Sequence, residues 1–345
     1  MRPFTPILWI AIAAAFVAGC SAGNQASQNS ALPSEGRTVA SASVPMVDGS
    51  PIPTVRMGPI SPGWLSPAVR NGTSGPVVYA AVEGDNEVLI YPEVGTNQAP
   101  IGKITNGISA PWGLWVDKNG NLYVANSSGK VTVYPPGSVD PSATYSKDLY
   151  RPLYVIADQA GDVFVGNGNG TKGGTLVEFL AGSSSVHEVL KTPGTEVDGM
   201  DFDQQGNLYV AYRGGMKRDG LGSVEKFAPG STQGQIIGMK VHQPQGLIVD
   251  NEGDILVAET SQRWRAIALF RPGKTRPTLR LKLPTGSDPT QIAITADESE
   301  LFAGSFQNND LYVTPYPLTK ASEWTALDQI PNQLEGVALS NGQGF

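Results

Sequence analysis

Pro111-Trp-Gly-Leu-Trp-Val-Asp-Lys-Asn-Gly-Asn-Leu-Tyr-Val-Ala125 is one copy of a phrase that recurs along the chain. It returns as Asp198-Gly-Met-Asp-Phe-Asp-Gln-Gln-Gly-Asn-Leu-Tyr-Val-Ala211 and as Pro244-Gln-Gly-Leu-Ile-Val-Asp-Asn-Glu-Gly-Asp-Ile-Leu-Val-Ala258, and degenerate versions follow Pro152 and Pro289. A period of roughly 40–47 residues is that of propeller blades, units that cannot bury their apolar faces alone and must stack to make a core. The repeat therefore speaks first to architecture.

Each copy predicts a four-stranded meander. The first strand runs up to Asp117, and an Asp-x-x-Gly turn ending at Gly120 reverses the chain into Leu122–Asn126, whose Tyr and Val suit a pleated, half-buried surface. A third strand, Lys130–Tyr134, stops at Pro135-Pro136-Gly137, and that stop recurs as Phe227-Ala-Pro-Gly230 and Phe270-Arg-Pro-Gly273. Proline lacks an amide donor and glycine tolerates positive φ, so the pair ends a strand and begins a turn. A fourth, outer strand is weakly marked. Asp117, Asp158, Asp203 and Asp250 recur in the same turn and are expected to bond its amides.

Counting first strands gives the closure. They begin near Trp112, Leu153, Asp198, Gln245, Thr290 and Glu335, but Glu335-Gly-Val-Ala-Leu-Ser340 is followed by only five residues. Its partner strands stand at the other end, as Val77–Val82 and Glu87–Tyr91, which have no first-strand phrase of their own. The prediction is an all-β, six-bladed propeller of four-stranded blades, in which the C-terminal strand completes the N-terminal blade. Such closure removes exposed sheet edges.

The segment ahead of the propeller suggests where it works. Met1-Arg2-Pro3 precedes an apolar run from Ile7 to Val17 that ends in Val17-Ala18-Gly19-Cys20. A positive start, a short apolar stretch and small residues before a cut describe a secretory signal. The match is to a bacterial lipoprotein signal, residues 1–20, with Cys20 the lipidated residue and the only cysteine of the chain. The resemblance to lipoprotein sorting implies, through Ser21, the outer membrane, with the domain facing the periplasm or the surface. Residues 21–75, rich in Ser, Ala, Gly and Pro, are expected to form a flexible tether, and 76–345 the propeller. The formal charge is −7, with 24 Lys+Arg against 31 Asp+Glu, and no basic stripe is visible, which excludes nucleic acid as a partner.

Strand alternation puts the start of each first strand and the loop joining strands two and three on one face. Trp112, Leu153, Asp198, Gln245, Thr290 and Glu335 are expected to ring the channel mouth on that face. Beside them stand the longest loops, 167–174, 213–220 and 260–265, which offer Arg213, Lys217, Arg218, Arg263, Trp264 and Arg265 as contacts. Asp198 and Glu335 are the acids of the ring, three blades apart, and a pair of carboxylates suits a hard cation. His187 and His242 form no cluster with metal-ligand spacing.

The Pro-x-Gly-Leu-x-Val-Asp-x-x-Gly-Asn-Leu-Tyr-Val-Ala pattern resembles NHL-type propellers over essentially the whole domain. The segment from Asp198 to Ala211 is also similar to the gluconolactonase and senescence-marker-protein family, six-bladed lactone hydrolases with a divalent metal in the channel. That resemblance implies Asp198, and more loosely Glu335, as ligands of calcium or zinc, while the family's two asparagines correspond to Leu153 and Trp112. Two functional expectations follow. One is a membrane-anchored module binding a protein, peptide or glycan through its loop-rich face; the other is a metal-dependent lactonase.

Overall fold

The computed structural model describes residues 62–168, 173–214, 221–261 and 263–342. Six antiparallel sheets form the blades. Blade 2 shows the pattern: Pro111–Val116 innermost, then Leu122–Asn126, Lys130–Tyr134 and the short outer Ala143–Tyr145. Blades 3 to 6 begin with Pro152–Ala157, Glu196–Phe202, Pro244–Val249 and Pro289–Ile294. In blade 4 the outer edge is split, with Gly234–Ile236 and Val241–His242 pairing different parts of Leu221–Phe227.

Blade 1 closes the ring. Leu334–Leu339 pairs antiparallel with Val77–Val82, with Val78 opposite Leu339 and Ala80 opposite Val337. The innermost strands pack in sequence, each against the next, and Leu334–Leu339 touches both Pro289–Ile294 and Pro111–Val116. Core clusters occupy the spaces between neighbouring blades. The closing strand supplies Leu334, Val337 and Leu339 to one of them, all essentially inaccessible to solvent. At about 1.5–3 kcal/mol for each fully buried aliphatic side chain, this strand is a principal source of the ring's stability.

One boundary differs from the sequence reading. Trp64–Leu65 pairs with Lys103 and Gly102, adding a fifth strand outside blade 1, and Pro67–Arg70 forms a helical turn capped by the Ser66 hydroxyl. Leu65 and Val69 are buried in the core between blades 1 and 2, so the propeller reaches back to about residue 62 instead of 76. Cys20 and the segment up to residue 61 lie outside the described residues, as do Lys217 and Arg218. Among the described residues, no helix is long and apolar enough to cross a membrane.

The repeated aspartates act on the turns. Asp117 Oδ1 accepts from the amides of Asn119 and Asn121 at 2.9 and 2.8 Å, and Asp158, Asp203 and Asp250 bind the equivalent amides of their own blades. Blade 6 has no aspartate at this place, and Thr295 Oγ1 accepts from Ser299 and Glu300 instead, each at 3.1 Å.

Candidate functional site at the channel mouth

The phrase's glycine sets the width of the channel. A Cβ at Gly113 would stand 2.5 Å from the Leu153 carbonyl oxygen, at Gly199 2.8 Å from the Leu247 nitrogen, and at Gly336 2.0 Å from the Trp112 carbonyl oxygen. First strands can approach this closely only without side chains there. The two degenerate copies carry Tyr154 and Gln291 at the same place, in blades 3 and 6, and these fill the space that the glycines clear. Gln291 spans to Leu114, accepting from its amide at 2.9 Å and donating to its carbonyl at 2.6 Å, and also hydrogen-bonds the Tyr154 hydroxyl. Below this bridge the channel is lined mostly by aliphatic side chains, including Leu114, Leu247, Ile292, Ile294 and Val337, with Asp201 among them. Burial pushes Asp201 up to about 8, against the pull of amide bonds from Val249 and Phe202.

Above the bridge, on the loop-rich face, the mouth is charged. Glu196 is paired with Arg151 and, at 3.4 Å, with Arg213, whose Nε stands 2.9 Å from Asp198 Oδ2. Arg151 lies over the Trp112 ring at 5.2 Å, a cation–π contact. Glu335 and Glu83 complete the group, Glu83 at the start of the turn Glu83–Asp85 that joins strands two and three of blade 1. Burial raises Asp198 to about 7, with Arg213 opposing and Glu196 adding to the rise. Burial and the neighbouring Glu83 push Glu335 well above the usual carboxylate range, while Arg213 and Arg151 pull it down and Asp198 adds to the rise. Glu83 is raised by burial and lowered by Arg151.

The six expected mouth residues therefore part company. Asp198 and Glu335 both belong to the charged group, from opposite blades. Trp112 and Gln245 are half-buried. Leu153 and Thr290 are buried: Leu153 lies so close to Gly168 that a Cβ there would be 2.6 Å from its Cδ1, and Thr290 packs likewise on Gly304. These two support their own blades and offer no contact surface. Arg213, expected in a loop, ends the strand Leu208–Arg213 and turns into the channel, because two carboxylates wait there. Trp264 is half-buried beside His242, with Arg280 over its ring at 4.4 Å. Arg265 pairs with Asp288 at 2.7 Å, and Arg263 is exposed.

Arg151, Glu196 and Glu83 escaped the sequence reading. Arg151 stands immediately before Pro152 and Glu196 two residues before Asp198, so a search of the residues just ahead of each phrase would have found them. Glu83 carried no signal of that kind.

The geometry also tests the divalent metal that the gluconolactonase resemblance implies. Arg213 already sets a positive charge against Asp198, and the positions of the family's asparagines hold Trp112 and Leu153, which bring no oxygen ligand. Among the described residues, no group of three or more His, Cys, Asp or Glu could hold a metal ion. These residues do not fit that group.

The fold and the mouth together define a six-bladed β-propeller with one charged and one aliphatic half of its channel. Among solved structures the chain is similar to one described as "Crystal structure of Nidogen/Laminin Complex", with a TM-score of 0.59 and 17% identity over 77% of this chain and 98% of that one. That likeness is one of fold. No protein-family model and no curated protein matches the chain, so the NHL and gluconolactonase resemblances rest on the repeat phrases alone.

Proposed function

We propose that this chain is a lipid-anchored binding module of a bacterial cell envelope, tethered through Cys20, that engages a protein partner with its loop-rich face. The observation that carries the reading is the asymmetry of the channel. One mouth gathers Trp112, two arginines and four carboxylates, while the space lined by Tyr154 and Gln291 is mostly aliphatic. Arginine and aromatic side chains at a partly enclosed centre are where binding energy concentrates. The similar fold in a structure described as a nidogen/laminin complex agrees with a protein partner. A lactonase is the weaker reading, since Arg213 occupies the carboxylate that would have to bind metal.

The test is photo-crosslinking in living cells. A crosslinking amino acid at Arg263 or Gln245 on the loop-rich face should give a discrete protein adduct, and one at His187 on the outer edge of blade 3 should not. Equal labelling at both places, or none at the loop face, would remove the docking face. The anchor is tested separately: Cys20→Ala should release the protein from the membrane fraction, and retention would exclude the lipid tether.

A further inference from the structure

The four carboxylates of the mouth are of two kinds. Glu196 and Asp198 are ion-paired with the two arginines. Among the described residues no ion pair reaches Glu83 or Glu335, and Glu335 Oε2 is buried with no hydrogen-bond partner. Glu335 is 2% exposed. It interacts electrostatically with Glu83 of its own blade, with Arg151 of blade 3, and with Arg213 and Asp198 of blade 4. Those partners stand on three blades, which places the Glu335 carboxyl near the ring axis. With every group ionised, two positive charges stand against four negative ones, and the surplus sits on Glu83 and Glu335.

An unpaired buried carboxyl is costly, and its cost is relieved by a proton or by a cation. A hard metal ion gathers several oxygen ligands, and among the described residues no group of three or more His, Cys, Asp or Glu could hold one. An ammonium group needs about three acceptors. Glu335 and Glu83 come from different elements of one blade, an innermost strand and a turn, so a compact ammonium on an unbranched stem can sit between them, whereas arginine's planar fork is matched by a single bidentate carboxylate.

We infer that the channel mouth receives the side chain of one lysine of a protein partner, its ammonium held between Glu335 and Glu83. This rests on the loop-rich face being the docking face. Binding requires ionised carboxylates, so it is coupled to proton release and weakens as pH falls.

The experiment uses the full-length chain in detergent and isothermal titration with three probes: acetyl-Gly-Gly-Lys-Gly-Gly-amide, its norleucine counterpart, and n-butylammonium. At about pH 8 the lysine peptide should bind saturably, and the norleucine peptide about tenfold more weakly or worse. Glu335→Gln should weaken the lysine peptide by a similar factor, and binding should weaken progressively as pH is lowered, because both raised carboxyls take up protons. Glu83→Gln, in a surface turn instead of the innermost strand, gives the same reading if Glu335→Gln fails to fold. Equal binding of lysine and norleucine peptides, or indifference to both substitutions, overturns the inference. So does butylammonium binding as tightly as the lysine peptide, which would describe a site for free amines. Loss of lysine selectivity with loop-face crosslinks intact would remove the lysine and leave the docking face.

Discussion

The Tyr154 hydroxyl and the Gln291 side chain hydrogen-bond each other across the central channel, from blades three apart. They occupy the repeat position that is glycine in the other four blades, so departure from the repeat and the side-chain contact across the ring are the same event. Gln291 also ties blade 6 to Leu114 of blade 2, past the intervening closing strand.

Gln291→Leu removes this tie while keeping similar bulk. The Leu114 amide and carbonyl would lose their side-chain partner in a buried place, at about 1–3 kcal/mol for each group left unsatisfied. A fall in chemical-denaturation stability of about 2–6 kcal/mol is expected on the same basis. A loss below about 1 kcal/mol, within the range of an ordinary neutral hydrogen bond, would show that water replaces the glutamine freely.

Glycine substitutions should rank by the nearest backbone atom. At Gly336 an added Cβ meets the Trp112 carbonyl oxygen at 2.0 Å, whereas at Gly246 the nearest atom is the Ile292 nitrogen at 3.2 Å. Gly336→Ala should cost about 3 kcal/mol, the upper end for overpacking, and Gly246→Ala about 1 kcal/mol. Melting curves of the two variants decide it, and a reversed order would mean that the innermost strands are not packed as described.

Deleting 333–345 takes away the strand Leu334–Leu339. Val78 and Ala80 lose their pairing, and the core between blades 6 and 1 loses Leu334, Val337 and Leu339. At about 1.5–3 kcal/mol per buried aliphatic side chain, the loss rivals a whole domain's stability, and cooperative unfolding should disappear. A truncated chain that melts like the intact one would contradict closure through this strand.

These features were not equally legible in the sequence. The ring came from a local pattern: the Asp-x-x-Gly turn and the alternating strand after it recur in blades 2 to 5, and the Pro-Gly stops appear with Gly137, Gly230 and Gly273 at positive φ. Glu335 and Asp198 could be placed because they fall inside the phrase. Arg151 and Glu196 fall just ahead of it, where only a search of the residues before each phrase would have found them, and Glu83, in the turn between two strands of blade 1, has no place in the repeat at all. The roles of Tyr154 and Gln291 were hidden for a similar reason. A degenerate copy looks like decay until its opposite number is known to be degenerate too. Leu153 and Thr290 show the converse, since a repeat position fixes a place on the strand and not whether the side chain meets solvent.

The protonation of buried acids gives the last prediction a definite sign. Burial pushes Asp201 up to about 8 and Asp198 up to about 7 in the folded protein, against about 3.9 for an unfolded aspartate. Between those limits the folded chain holds protons that the unfolded chain has released, so stability is greatest near the lower limit and falls as pH rises toward about 8. Asp203 works the other way. Although burial raises it, bonds from Asn207 and Lys226 hold it below its ordinary value, so its contribution is lost only as pH drops below about 4. The melting temperature should therefore decline steadily from about pH 5 to about pH 8, and Asp201→Asn, which cannot ionise, should flatten that decline. A slope that is absent in the wild type, or unchanged in the variant, would place the titrating carboxyls elsewhere than in the channel.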